Sequence, residues 1–125
     1  MMYPTFLEAY AMLLRFEFYL ARRDFQGLYR RVRDYPIATQ APRPDAARRI
    51  CSAIDLACVW YPKQVLCLER SAATTCLLRR YGIDAQLIMG AQRMPFKAHA
   101  WVEVDGQVIN DKPYMREIYA VLDRC

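Results

Sequence analysis

The sequence predicts an α+β fold, in which a helical first half and a central cysteine-bearing helix pack against a small antiparallel sheet. Two observations support this prediction. Apolar residues recur at three- and four-residue steps before Gly82, as in amphipathic helices, whereas apolar and polar residues alternate after it, as in strands. With 125 residues, 55% of them hydrophobic, the chain is long enough for one domain with a core and too short for two. We therefore expect a single domain over residues 1–125.

Three helices are predicted in the first part of that domain, residues 1–60. Residues 5–23 carry an amphipathic pattern that predicts the first helix. Asp24 is a good N-cap for a second helix, which the Tyr-Pro pair at 35–36 ends. Pro44 can open a third helix after a connector rich in proline and alanine. The apolar side chains expected to point inward from this third helix are Ile50, Ile54 and Ala57.

The second part, residues 61–125, begins with a helix that carries a cysteine near its start. We expect this helix to begin just after Pro62 and to end at Tyr81, with Gly82 as its left-handed cap. Cys67 would then lie in the first turn or two, where free backbone N–H groups and the helix dipole favour a thiolate over a thiol. Cys76 lies nine residues further on, on the opposite face, and is expected in the core.

Strands are predicted beyond Gly82, at 83–89 and 96–104, and a hairpin at Asp105-Gly106 leads into residues 107–111. Alternation places His99 and Trp101 on one face of the second of these strands. A three-residue loop with Gly106 as a bulge residue would bring His99 opposite Asp111, and we predict this turn. A two-residue loop would leave Asp111 on the wrong face and give Asn110 the place beside His99.

The order Cys67, His99, Asp111 is that of a cysteine acyl-transfer triad, and His99 is the only histidine in the chain. A thiol is a poor nucleophile near neutral pH, so the chemistry needs an imidazole to take its proton and a third polar group to hold the ring. The structural alternatives are a buried cysteine and a histidine that only packs on its strand. These three side chains are the catalytic candidates.

Composition excludes several other functions. Five cysteines without a C-x-x-C pair, with one histidine, make a poor zinc site, so no metal and no cofactor are expected. Their odd number argues against a disulfide framework and favours the reducing cytoplasm. Residues 1–5 lack a basic export signal, and no stretch is apolar enough to span a membrane. The net charge of +5 comes from arginines in the first half, which suit a solvated face, an acidic peptide or a partner. No nucleic-acid-binding motif is present.

Four segments together resemble the transglutaminase-like cysteine peptidases of lasso peptide biosynthesis. They are residues 67–71 (CLERS), 77–82 (LLRRYG), 85–90 (AQLIMG) and 96–103 (FKAHAWVE). The resemblance is close over residues 60–112 and loose before them. It implies a papain-related fold in which Cys67 attacks a peptide carbonyl, His99 acts as base and then acid, and Asp111 orients His99. Members of the family remove the leader from a ribosomally made precursor, and a separate ATP-dependent cyclase then closes the product.

Some members of this family also carry an N-terminal leader-recognition domain of winged-helix type. The residues ahead of Cys67 are predicted to be helical here, without the strands that such a domain needs. We therefore expect the stand-alone peptidase, which would depend on a separate leader-recognition protein to present the leader. The arginines of the first half, such as Arg22 and Arg23, are candidates for that docking surface.

The remaining site candidates are supported by fewer sequence observations. The backbone N–H of Cys67 is the natural first oxyanion donor, and Gln64 is a second by analogy with papain-like sites. Trp101 and Arg70 are candidates for the substrate cleft, although Trp101 equally suits the core. Two other functions stay open at this stage. One is a different acyl transfer on the same residues, such as amide crosslinking, and the other is a basic helical module that binds peptides without catalysis.

Overall fold

The computed structural model describes residues 6–93 and 95–125. Its elements follow the chain in the order α1 Phe6–Ala21, α2 Phe25–Asp34, α3 Ala46–Val59, α4 Cys67–Arg80, β1 Ala85–Gln92, β2 Lys97–Val104, β3 Gln107–Val108, α5 Met115–Ile118 and β4 Ala120–Arg124. Residues 1–5, which bear on the expected absence of an export signal and include the expected start of the first helix, lie outside the described range. The architecture is α+β, as the sequence predicts.

The four strands form one antiparallel sheet in the order β3-β2-β1-β4. The pairing of β1 with β2 is regular from Ala85 and Val104 to Gln92 and Lys97. The pairing of β1 with β4 shifts its register between Met89 and Gly90. The shift lies beside Gly90, whose partner on β2 is His99.

Helix α4 lies at the centre of the fold and packs against α1, α3, β1 and β2. Its residues from 71 to 79 are all buried, although three of them are hydroxyl residues and one is an arginine. The hydroxyls are satisfied inside the protein: Thr74 Oγ1 donates to the Arg70 carbonyl and Thr75 Oγ1 to the Ser71 carbonyl, both at 2.8 Å. Small side chains with internally bonded hydroxyls let the helices and the sheet approach α4 from all sides.

Arg79 joins the end of α4 to the rest of the protein. Its Nε donates to the carbonyl of Ala85 at 3.0 Å, and its Nη1 donates to the carbonyl of Val32 at the end of α2. The Arg79 carbonyl in turn accepts from the N–H of Ala38 at 2.8 Å. A buried cation normally costs stability, but here each of these bonds replaces a water contact and links the helical half to the sheet.

Most helix predictions agree with the structure. The Asp24 side chain accepts from the N–H of Gly27 at 2.9 Å as the N-cap of α2, and Ile50, Ile54 and Ala57 are buried in α3. Helix α4 begins at Cys67 itself, later than the expected start after Pro62. Residues 64–66 precede it without helical structure. Strand β1 continues to Gln92 through residues expected to form a loop. Neither α5 nor β4 was predicted.

Among the described residues, none of the helices combines the length and the apolar character needed to cross a bilayer.

Gly82 and Gly106 both adopt positive φ, at 87° and 78°, but only one of them is crowded. A Cβ on Gly82 would collide with the backbone carbonyl of Gln40, whereas a Cβ on Gly106 would meet nothing within 4 Å. We expect Gly106→Ala to lower the free energy of unfolding by about 1–2 kcal/mol through backbone strain alone. Gly82→Ala should lower the free energy of unfolding by at least about 1 kcal/mol more than Gly106→Ala does, because of the added clash. Urea denaturation measures both values. Equal losses in the two variants would contradict this account of Gly82.

Glu69 is fully buried in the first turn of α4. Burial and the neighbouring carboxylate of Glu17 raise the pKa of Glu69 to about 7, while Lys63 forms an ion pair with Glu17. The folded protein therefore keeps a proton on Glu69 that the unfolded chain releases above about pH 4.5.

The stabilisation from this proton should be complete at low pH and should disappear as the pH rises through about 7. We expect Glu69→Gln to weaken the decline of the free energy of unfolding between about pH 5 and about pH 8, measured by urea denaturation. The matched control is Glu117→Gln, at an exposed position on α5. A decline in Glu69→Gln as steep as in the unmodified protein would show that Glu69 does not hold the proton.

Candidate active site

Cys67 is the first residue of α4. The N-cap is Leu66, which is extended (φ −77°, ψ 155°) and has no side-chain acceptor for the first-turn N–H groups. The Leu66 carbonyl accepts the first helical hydrogen bond, from Arg70 at 2.9 Å. The N-cap side chain therefore leaves the first-turn N–H groups at the positive end of the helix to whatever binds beside Cys67.

The other four cysteines sit in surroundings that disfavour a thiolate. Burial raises the pKa of Cys76 to about 12 and that of Cys51 to about 11. Burial also raises the pKa of Cys58 and of Cys125. Cys76 is fully buried in the core, as expected from its place on α4. Position alone thus distinguishes Cys67, the one cysteine at a helix N-terminus, as the candidate nucleophile.

His99 lies on β2, and its Nε2 is 2.6 Å from Oδ2 of Asp111. Both side chains are about a quarter exposed, at 24% and 25%. A carboxylate on Nε2 fixes the ring and leaves Nδ1 as the nitrogen that can exchange a proton with a third group.

The hairpin that precedes Asp111 differs from the predicted one. Asp105 and Gly106 both have positive φ, and Val104 pairs directly with Gln107, so the loop has two residues and no bulge. The expected three-residue turn is wrong. A regular ladder after this tight turn would turn Asp111 away from His99, yet the two are hydrogen-bonded, because the ladder does not continue.

Asn110 ends the ladder and redirects the chain. The Val102 N–H donates to Asn110 Oδ1 at 2.8 Å, in the place where a strand would offer the carbonyl of Ile109. Asn110 Nδ2 donates to Ser71 Oγ at 3.1 Å, and Ser71 Oγ donates to the Ala100 carbonyl at 3.1 Å. The side chain of Asn110 thus faces α4, not His99, and the bend it makes returns Asp111 to the imidazole. The sequence suggested Asn110 only as an alternative partner of His99.

Cys67 and His99 line the same cavity, of about 250 Å³, between α4 and the sheet. Among the described residues no hydrogen bond joins the Cys67 thiol to the His99 ring. The other residues that line the cavity are mostly apolar or small: Tyr29, Leu68, Met89, Gly90, Ala98, Ala100 and Leu122. A larger and more open depression of about 500 Å³ lies along α2, and its lining contains none of the three catalytic candidates.

The remaining candidates lie elsewhere. Trp101 is fully buried beneath the site, where its indole N–H donates to Glu103, and it does not line the cavity. Arg70 points away from the cavity and forms an ion pair with Asp55. Gln64 is exposed in the segment before α4, and it too is absent from the lining. Ser71, one helical turn after Cys67, is buried, and its hydroxyl is bonded to β2.

Replacing Asn110 by alanine should loosen the loop that carries Asp111. The variant leaves the Val102 N–H without an acceptor and Ser71 Oγ without its donor, so we expect the free energy of unfolding to fall by about 1–3 kcal/mol. The matched control is Gln107→Ala, on the exposed side of the same hairpin, which should stay within about 0.5 kcal/mol. Urea denaturation measures both values. Asn110→Ala with the stability of the control would contradict the bridging role.

Comparison with known proteins gives a family. The family model of the transglutaminase-like superfamily matches residues 10–124. The microcin J25-processing protein McjB of Escherichia coli is 48% identical over 56 residues, which is 45% of this chain and 27% of that protein, so the match spans about a quarter of the relative's length. No solved structure matches. Because the family model covers nearly the whole chain, including the helix, the strand and the loop that hold the candidate site, the chain belongs to the transglutaminase-like superfamily.

Proposed function

We propose that the protein is a cysteine peptidase that removes the leader from a ribosomally made lasso precursor, with Cys67 as nucleophile, His99 as base and acid, and Asp111 as the residue that orients His99. The observation that carries the proposal is the 2.6 Å contact between His99 Nε2 and Asp111 Oδ2, on a ring that shares its cavity with Cys67 at the start of α4.

The chemistry follows from these positions. His99 takes the thiol proton, and the Cys67 sulfur attacks the carbonyl carbon of the peptide bond. The negative charge moves to the carbonyl oxygen, where the Cys67 backbone N–H at the uncapped start of α4 can donate to it. The C–N bond then breaks as His99 gives its proton to the leaving amine, and a thioester remains on Cys67. Water, deprotonated by His99, attacks the thioester and releases the carboxylate and the thiol.

The substrate class rests on similarity. The segment pattern around Cys67 and His99 resembles the lasso leader peptidases, and McjB is named for the processing of microcin J25. We propose a leader peptide as substrate, a separate winged-helix-type protein that presents it, and an ATP-dependent cyclase that acts on the released core in the cytoplasm. The superfamily name gives the second candidate: an amine in place of water would resolve the same thioester as an acyl transfer.

Alkylation of Cys67 by iodoacetamide tests the proposed pair directly, with each cysteine followed by peptide mass spectrometry across about pH 5 to 8. We expect Cys67 to react much faster than Cys125 at pH values below the ordinary thiol pKa of about 8.5, and His99→Ala to remove the advantage. Cys51→Ala is the control, because that thiol lies outside the cavity. Labelling of Cys67 that is no faster than that of Cys125 and indifferent to His99 would overturn the proposal.

The precursor of microcin J25 is the probe that separates the two reactions. In water enriched in heavy oxygen a peptidase places the label in the new carboxylate, whereas an acyl transferase joins the peptide to an added amine. Cys67→Ala should abolish either reaction, and Asp111→Ala should slow it by at least about a hundredfold, because the imidazole loses its orienting partner.

A further inference from the structure

Two aromatic rings, those of Tyr119 and Trp101, pack beside the candidate base His99. The His99 and Tyr119 ring centroids are 5.4 Å apart with an interplanar angle of 21°, and Tyr119 lies 6.1 Å from Trp101. We infer that Tyr119 is a positioning residue: it holds the His99 imidazole in the orientation in which Nε2 meets Asp111 and Nδ1 stays available to Cys67. The inference rests on the proposed function and adds to it a residue from outside the triad.

Tyr119 is positioned beside His99 by the junction between α5 and β4. Tyr119 is the C-cap of α5, its N–H donates to the Met115 carbonyl at 2.9 Å, and β4 begins at the next residue. Gly90 of β1 is paired with His99 on one side and with Val121 of β4 on the other. The register shift between Met89 and Gly90 falls at Leu122, inside β4 and three residues after Tyr119.

Gly90 provides the space in which the rings meet. A Cβ at this position would lie 2.7 Å from Cη2 of Trp101 and 2.9 Å from the Cβ of Tyr119. Both distances are shorter than van der Waals contact, so any side chain at position 90 would push the two rings apart. The glycine is required here for room between strands and not for an unusual backbone angle.

Trp101, the third ring, is fixed by a buried carboxylate. Its indole N–H donates to Glu103 Oε2 at 2.8 Å, and Arg116 Nε donates to the same oxygen at 2.8 Å. Burial alone would raise the pKa of Glu103, but the hydrogen bonds from Arg116 and Trp101 outweigh it and hold that pKa below its usual value. Arg116 belongs to α5, which ends at Ile118 with Tyr119 as its C-cap. One carboxylate of β2 thus holds both the Trp101 indole and the helix that leads to Tyr119.

The Tyr119 ring restrains an imidazole that the hydrogen bond to Asp111 alone does not hold firmly. His99 and Asp111 are each about a quarter exposed, so water competes for both partners and a single hydrogen bond leaves the ring free to rotate. A flat ring packed parallel to the imidazole restricts that rotation, and its face also attracts the ring when it is protonated. Tyr119 thereby acts through His99 and touches no reacting atom.

The test uses the fact that His99 is the only histidine, so imidazole nitrogen resonances in a long-range proton–nitrogen spectrum belong to it alone. We expect one tautomer, protonated at Nε2, in the unmodified protein and in Tyr119→Phe. Tyr119→Leu should give a mixture of tautomers and slow iodoacetamide labelling of Cys67 by about tenfold near neutral pH. The matched control is Tyr114→Leu, an exposed tyrosine five residues before Tyr119, which should change neither readout.

The two readouts distinguish failure of the Tyr119 role from failure of the proposed function. A single Nε2-protonated tautomer and unchanged labelling in Tyr119→Leu would overturn the positioning role. Should that variant not fold, the unmodified protein still decides: the His99 ring protons must shift upfield relative to the urea-unfolded chain, because two aromatic faces lie against them, and the absence of a shift overturns the inference. If Cys67 proves unreactive, the proposed function fails, and the tautomer spectrum still decides on Tyr119.

Discussion

The structure depends on the burial of α4. A helix that carries threonines, a serine and an arginine can lie at the centre of the protein only because its hydroxyls donate to backbone carbonyls and Arg79 binds carbonyls of α2 and β1. Those bonds fix the axis of the helix against the sheet. With the axis fixed, Cys67 at the start of α4 lies near the beginning of β2, where it shares a cavity with His99.

The hydroxyl of Ser71 extends this arrangement to the third residue of the proposed triad. It links the Ala100 carbonyl of β2 to the amide of Asn110, so a helix, a strand and the loop after the hairpin meet in one short chain of hydrogen bonds. Each member is satisfied on both sides, which is the condition under which a buried polar network stabilises one geometry. The position of Asp111 is therefore set by the residue before it and not by strand pairing.

The sequence predicted well whatever depends on local chemistry. The caps at Asp24 and Gly82, the inward stripe of α3 and the place of Cys67 near a helix start all follow from residue type and period. The hairpin turn was mispredicted because Asp-Gly suits both two- and three-residue loops, and the choice between them was argued from an ideal ladder through Asp111. The ladder ends at Asn110 through a contact with Ser71, 39 residues away, which no local pattern reveals.

The C-terminal segment escaped prediction for a different reason. Helix α5 is a single turn of four residues, and all five residues of β4 are exposed, so neither element has the alternation of buried and exposed positions on which periodicity depends. Tyr119 lies between them. The residue that we assign to hold the imidazole therefore came from the part of the chain whose sequence says least about its structure.

Leu66 illustrates how such a site limits stability. A serine or aspartate at an N-cap usually stabilises a helix by about 1 kcal/mol, because its side-chain oxygen accepts from the first-turn N–H groups. At position 66 that oxygen would take up the same donors, and a carboxylate would place negative charge beside the Cys67 sulfur. The apolar cap offers no side-chain acceptor to the first-turn N–H groups and so leaves them to a substrate oxygen. Evolution toward a more stable α4 would work against the proposed chemistry at this one residue, and a thermostabilised variant of the protein should keep leucine there.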